Sequence, residues 1–310
     1  MILWGLFSGS FFFLSQASAE TDLECYRMPG CRGFFRGASP NPTVGSQVRI
    51  NPSAVPTANA FGLEGIFFKD SVDVSIVRGN GRVGAALSPT NSEETFFGPP
   101  TFEVPEDYAL RKINADKYPN QKLTLAAAVD LKKRSGSGLG AVELKAGVMG
   151  RYNKLTHNVS PGVGLNGILG PLTFGGSIYS DETQLDYRTY GLLETKPVVK
   201  YQVQTYNVGL FLNSLILDYS QLRMKTVDTS IVHIVTASLS YRRVILSASK
   251  RTEDSERPAY NYRTKLLEDE RYKEEYFGGL QVQITKNFMV GALYNYYLLH
   301  EMSGSLTLFF

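Results

Sequence analysis

The chain has 310 residues, 32 of them Lys or Arg and 29 Asp or Glu, which leaves a net charge of only +3. An excess this small, with both signs intermixed, excludes the electrostatic footprint of a nucleic-acid binder. Mean hydropathy is −0.14, and beyond the N-terminus no segment is long and apolar enough for a spanning helix. Membrane-crossing strands that alternate apolar and polar residues average to such a value.

Residues 1–19 read as a secretory signal. Ile2, Leu3, Trp4, Leu6, Phe7, Phe11, Phe12, Phe13 and Leu14 supply an apolar stretch, and Ala17-Ser18-Ala19 supplies small residues in the A-x-A cleavage pattern. No Lys or Arg precedes the run. A membrane anchor is the weaker alternative, since a spanning helix needs about 20 apolar residues. Asp22-Leu23-Glu24 ahead of Cys25 is not a lipidation context.

Residues 20–59 are rich in Gly, Pro, Ser and Asn and lack sustained alternation, which marks them as a segment preceding the fold proper. Cys25 and Cys31 are the only cysteines. In an oxidising compartment a bridge between them is favoured, helped by the Pro29-Gly30 turn. Closing so short a loop contributes about 2 kcal/mol. A redox or metal site lacks a nearby histidine or second cysteine pair.

From residue 60 onward the chain alternates. Strands are expected at Ala60–Phe68, Val72–Arg78, Arg82–Ser88, Lys122–Lys133, Leu139–Lys154, Ser160–Ile168, Leu172–Leu185, Val198–Leu212, Ser214–Thr226, Ser230–Tyr241, Arg243–Glu253, Glu275–Thr285, Asn287–Leu299 and Met302–Phe310. These are about fourteen strands by the alternation rule. Pro89–Gln121 and Asp254–Glu274 read as loops. Long connections follow the third, seventh and eleventh strands, and the even-numbered connections are short. That is the arrangement of a transmembrane β-barrel, with short turns on one side, long loops on the other, and both ends on the short-turn side. The expected fold is therefore all-β: an antiparallel transmembrane barrel over residues 60–310, with residues 20–59 as an N-terminal hatch or periplasmic segment.

Alternation also assigns faces. In the fifth strand Val142, Leu144, Ala146 and Val148 face lipid, and Glu143, Lys145 and Arg151 face the lumen. Asp130 and Lys132 on the preceding strand join the lumen row. A Lys or Arg facing mid-bilayer lipid costs roughly 2–4 kcal/mol, which decides the assignment. These charges either pair into a lattice that fills the lumen or line a route for a polar solute. Aromatic residues near strand ends, including Tyr152, Tyr179, Tyr187, Tyr276, Phe277, Tyr296 and Tyr297, are expected in girdles at the two interfaces.

Catalysis is not expected. His157, His233 and His300 are the only histidines, and the loose pairings His157 with Ser160 and His300 with Ser303 lack an orienting acid or oxyanion hole. No metal-ligand spacing and no cofactor motif is present.

The final strand places Leu306, Leu308 and Phe310 in phase and ends on an aromatic residue. This resembles the C-terminal signal of bacterial outer-membrane barrels, with Gly304 one position from its usual place. The resemblance implies recognition by the barrel-assembly machinery. Ahead of the first strand stands Asn51-Pro52-Ser53-Ala54. With fourteen strands and the preceding segment, this resembles the long-chain fatty-acid transporter (FadL) family, whose Asn-Pro-Ala motif lies near the junction of hatch and barrel. The resemblance implies a lumen plugged by the N-terminal segment, and passive uptake of a hydrophobic molecule that leaves sideways through the wall near the hatch. Phe34, Phe35, Val44, Ile50, Val55 and Phe61 are expected to supply apolar hatch contacts. The implied location is the bacterial outer membrane, and the implied partners are its lipids, the assembly machinery and a hydrophobic ligand. A porin-like channel for small polar solutes and a non-transporting structural or partner-binding barrel remain alternatives.

Overall fold

A strand whose residues alternate in character can satisfy water or packed chain on one side and lipid on the other. Fourteen strands of this chain close into a barrel on that principle. The computed structural model describes residues 48–67, 72–90, 122–135, 140–154, 156–184, 198–212, 214–225, 229–254, 259–261, 266–268, 274–295 and 302–310.

The barrel strands are β1 (Ala60–Phe67), β2 (Val72–Gly79), β3 (Val83–Thr90), β4 (Lys122–Ser135), β5 (Val142–Asn153), β6 (Val159–Leu169), β7 (Leu172–Gln184), β8 (Val198–Leu212), β9 (Leu215–Lys225), β10 (Thr229–Tyr241), β11 (Val244–Asp254), β14 (Glu274–Thr285), β15 (Phe288–Asn295) and β16 (Met302–Phe309). Each pairs antiparallel with its sequence neighbour in the barrel, and β1 closes on β16 from Gly62↔Phe309 to Phe67↔Gly304. Phe61 and Phe310 complete that seam: each amide donates to the other's carbonyl, at 3.0 and 2.8 Å. Their rings lie 6.2 Å apart on the outer face.

One row of each strand is exposed and apolar. Val148, Val163, Leu165, Val208, Val235, Leu239 and Leu246 all belong to it. The other row is buried and largely polar, for example Asp73, Ser75, Thr124, Ser177, Thr205, Ser220, Thr236 and Thr307. An apolar outside on a closed, edge-free sheet satisfies the demand of hydrocarbon that no backbone group be left unpaired. Strands about 4.8 Å apart and tilted by about 40° make a fourteen-strand ring roughly 28 Å across between backbones. Short inner side chains alone do not fill that width.

Four expectations are corrected. Residues 254–274 are not wholly loop, because β12 (Ala259–Asn261) and β13 (Leu266–Glu268) pair as a separate hairpin. Lys132 leaves the lumen row: the register shifts between Asp130 and Lys132, so Lys132 stands opposite Leu144 of the outer row and is exposed. Tyr179 and Phe277 are not girdle residues, since both fall on the inner row and are buried. Phe61 is on the outer face, 40% exposed, with its ring beside that of Phe310. Residues 1–47, with Cys25, Cys31, Phe34, Phe35 and Val44, lie outside the described residues, as do Tyr187, Tyr296, Tyr297 and His300.

Candidate functional site in the barrel lumen

Residues 48–59 precede β1 and run back along the inner wall. Val48, Arg49, Ile50, Asn51, Ser53, Val55 and Thr57 are all buried. At its centre a single 3-10 turn, Pro52–Ala54, packs against β4, β5 and β6. The sequence forms this turn for local reasons. Asn51 is its N-cap and accepts from the Ser53 amide at 3.0 Å and the Ser53 hydroxyl at 2.6 Å. Pro52 fits the first position, where no amide hydrogen is needed.

Asn51 also ties the turn to the wall. Its Nδ2 donates to the carbonyls of Leu165 and Gly176, each at 3.3 Å. These two residues face one another across the β6–β7 ladder. The wall makes room with glycines. A Cβ on Gly164 would stand 2.0 Å from Asn51 Oδ1, one on Gly147 2.4 Å from the Pro52 carbonyl carbon and the Ser53 nitrogen, and one on Gly84 2.2 Å from the Pro56 carbonyl. At the short-turn end, Gly81 (φ 90°) donates its amide to the Thr57 carbonyl at 2.7 Å. Thr57 Oγ1 donates to Asp130 at 2.8 Å.

Toward the long-loop end the contacts become ionic. Arg49 is 2% exposed and Asp73 is fully buried, and Arg49 Nη1 meets Asp73 Oδ2 at 3.0 Å. Its Nε donates to Ser88 Oγ at 3.1 Å and its Nη2 to the Pro89 carbonyl at 3.3 Å. The Arg49 carbonyl accepts from Arg151 Nη2 at 2.5 Å. Arg151 in turn holds Asp181 at 2.5 Å and lies 5.1 Å from the centre of the Tyr179 ring. Lys122 approaches the same carboxylate at 2.9 Å. Ser177 Oγ donates to the Ile50 carbonyl at 2.6 Å, and the Ile50 side chain clusters with Leu222, Val232 and Ile234 of β9 and β10. The segment therefore touches the wall from β2 round to β10.

The sequence-predicted charges divide. Asp130, Glu143, Lys145 and Arg151 are on the inner row, and Lys145 pairs with Glu143 on its own strand at 2.9 Å. Of these, Asp130 accepts from Thr57 of the segment and Arg151 donates to its Arg49 carbonyl. Asn51, Pro52, Ser53 and Ala54 sit together in the lumen against β4–β7. Leu306 and Leu308 of β16, and Phe310 just after it, lie on the outer face. Asp181, Lys122 and the lumen glycines were not singled out from sequence as parts of this site. Their signal was alternation: each glycine that receives the segment falls on the inner row of its strand.

The two described histidines are elsewhere. His157 Nδ1 is 2.9 Å from the Tyr152 hydroxyl in the β5–β6 turn, and His233 Nδ1 is 2.7 Å from the Tyr219 hydroxyl on the outer face.

A cavity of about 460 Å³ opens between β6 and β7 near the long-loop end, lined by Asn158, Val159, Ser160, Pro161, Ser180, Asp181, Glu182, Lys200 and Gln202.

No family model matches the chain, and no curated protein sequence is similar to it. Solved structures that resemble it include bacterial outer-membrane barrels and channels. Omp33 of Acinetobacter baumannii is 8% identical over 81% of this chain and 96% of that one, with a TM-score of 0.39. OmpF of Salmonella typhi, in complex with daunomycin, is 7% identical over 81% and 95%, with a TM-score of 0.38. The monoaromatic hydrocarbon channel CymD is 8% identical over 88% and 93%, with a TM-score of 0.40. Likenesses this distant carry nothing about cargo. By its own topology and its apolar outer face, the chain is a closed fourteen-strand β-barrel of the outer-membrane type.

Proposed function

We propose that the protein is a bacterial outer-membrane barrel for passive uptake of hydrophobic, fatty-acid-like small molecules. Residues 20–59 obstruct free aqueous flow, and the cargo leaves sideways between β2 and β3. The observation that carries this reading is the β2–β3 seam. Its ladder runs only from Gly79↔Gly84 to Ile76↔Leu87, although β2 continues to Val72 and β3 to Thr90. Beyond it, Pro89 has no amide hydrogen to offer a ladder. Two side-chain devices span the seam beyond the ladder. Ser75 and Ser88 hydroxyls meet at 2.8 Å, and Arg49 reaches from the lumen segment to Asp73, Ser88 and the Pro89 carbonyl. A weak seam whose latch belongs to the lumen segment couples movement of that segment to opening of the wall. Burial of apolar cargo, worth about 25 cal/mol per Å², and the concentration gradient then drive uptake.

The test is a removable staple. In a chain with Cys25 and Cys31 changed to Ala, Ser75→Cys and Ser88→Cys place two thiols where the hydroxyls now meet. Oxidation is expected to stop uptake of a fluorescent fatty acid into vesicles, and reductant to restore it. Uptake indifferent to the staple rules out the sideways route. Single-channel conductance with and without residues 20–59 tests obstruction: a silent intact protein and a conducting truncation are expected.

One observation favours a porin-like second reading. Among the described residues, Asn166, Thr173 and Asn207 on the inner wall of β6–β8 carry buried polar atoms without a hydrogen-bond partner, which a water-filled polar path would satisfy. Steady conductance of the intact protein selects this reading.

A further inference from the structure

The wall has a second interruption, far from the first. The β6–β7 ladder ends at Gly162↔Tyr179, although β6 begins at Val159 and β7 runs on to Gln184. The flanking ladders do not stop there. β5 pairs with β6 as far as Tyr152↔Val159, and β7 with β8 as far as Gln184↔Val198. Pro161 stands where the separation starts and cannot donate to β7.

Side chains satisfy the released backbone. The Glu182 amide donates to the Asp181 carboxylate at 2.8 Å, and the Glu182 carbonyl accepts from Asn153 Nδ2 at 3.1 Å. The Glu182 carboxylate accepts from Thr156 Oγ1 and, at 3.2 Å, from Asn158 Nδ2. Bonds of this kind replace a strand ladder instead of leaving an edge bare. The opening is thus a framed window. The Gly162–Tyr179 pairing closes its lower side, and the β5–β6 turn bound to Glu182 closes its upper side.

Residues of both rows line the cavity in this window. Ser160 and Asp181 belong to the inner row, and Val159, Pro161, Ser180, Glu182, Lys200 and Gln202 to the outer. Side chains of both rows therefore meet at the window. It lies at the long-loop end, at the level of lipid head groups rather than acyl chains. Lys200 is the exposed cation at its outer mouth, with the Ser180 hydroxyl and Gln202 amide beside it. Below it, Val163 and Leu165 continue the outer face of β6 as exposed apolar surface. Arg151 and Lys122 neutralise the Asp181 carboxylate and Glu182 is turned to Thr156 and Asn158, so Lys200 and the hydrogen-bonding groups above apolar wall suit an anionic head on an acyl chain.

We propose that the β6–β7 window is a binding site for the anionic head group, carboxylate or phosphate, of an amphiphile in the outer leaflet, with Lys200 as its cation. The site rests on the barrel standing in a membrane and not on what it transports. The amphiphile is either a resident phospholipid or a free fatty-acid-like molecule, and the two share this chemistry.

The chain has one tryptophan, Trp4, so a single fluorescent reporter is simple to arrange. The full chain carrying Trp4→Phe and Val159→Trp is refolded into vesicles. Four probes are titrated in separate runs: brominated stearate, its methyl ester, brominated phosphatidylglycerol and brominated phosphatidylcholine. A second chain carries Trp4→Phe and Leu246→Trp, on exposed outer wall away from the window. Saturable quenching at Val159→Trp is expected from stearate or from phosphatidylglycerol, and which of them acts identifies the source. Adding Lys200→Gln is expected to weaken that binding about three- to five-fold, as for a partly solvated ion pair. The methyl ester is expected to give only the non-saturable quenching seen at Leu246→Trp. Equal quenching by acid and ester, or no effect of Lys200→Gln, overturns the site. Absence of quenching at Leu246→Trp by every brominated lipid overturns the membrane reading and the site with it.

Discussion

Adding two methyl groups to the lumen wall should open the barrel. Gly84→Ala puts a carbon 2.2 Å from the Pro56 carbonyl oxygen, and Gly147→Ala puts one 2.4 Å from the backbone of Pro52 and Ser53. Ordinary contact distances are near 3.4 Å, so the lumen segment must retreat by about 1 Å at each place. Overpacking of this kind costs roughly 1–3 kcal/mol per site. Both residues push the same segment, so the costs couple, and about 2–6 kcal/mol bounds the total. At about 1.4 kcal/mol per factor of ten, the ratio of displaced to seated segment rises about 25-fold to 20,000-fold. The outer row is untouched, so the barrel should fold and insert as before. Planar-bilayer conductance reads the outcome. The double variant is expected to show frequent or permanent openings, and Gly278→Ala, whose new carbon meets nothing within 4 Å, is expected to match the parent. A double variant as silent as its parent, with an unchanged unfolding midpoint, would show that the glycines do not hold the segment in place.

Arg49→Gln removes the guanidinium that meets the buried Asp73 carboxylate at 3.0 Å. Losing one member of a buried pair costs about 3–5 kcal/mol, and adding Asp73→Asn should recover part of it. Urea unfolding midpoints of the single and double variants check this, and identical midpoints reject the pair as a determinant of stability. Leu246→Arg puts a cation on the exposed outer row of β11 and should cost roughly 2–4 kcal/mol in a bilayer. A urea titration in vesicles that finds no loss contradicts the facing. Removing Phe310 deletes both backbone bonds to Phe61 at the closing seam. The yield of heat-resistant barrel in membranes should fall, and an unchanged yield argues against any role of this residue in assembly.

Strand number, order and facing were legible in the sequence because a barrel wall imposes a strict period of two. The placement of the long connections after the third, seventh and eleventh strands was an independent check on register, since one miscounted strand reverses it. The errors came where that period was broken or not applied. At Lys132 a bulge reversed the row, and an inserted residue leaves no mark in an alternation of Lys, Leu and Asp. Tyr179, Phe277 and Phe61 were read by residue type and strand-end position, although alternation with Ser177, Gln281 and Leu63 gave the correct side. The β12–β13 hairpin hides in a charged stretch, because three paired residues per strand are too few to show a period. Asn51-Pro52-Ser53-Ala54 was visible as a motif. Its hydrogen bonds to the Leu165 and Gly176 carbonyls were not, because partners so distant in the chain are set by barrel closure alone.

The seam between β1 and β16 constrains the order of assembly. It joins the first strand to the last, so it forms only when every other strand is in place. The segment before β1 is tethered at that same seam, and its glycine seats lie on β3, β5 and β6, in the amino-terminal half of the sheet. A chain that built its wall first and threaded the segment later would have to pass buried Arg49 through a ring already lined with side chains. A half-formed, curved sheet offers the seats while its concave side is still open. The segment then acts as a former around which the remaining strands wrap, and weakening its seats should slow closure even where the finished barrel is equally stable.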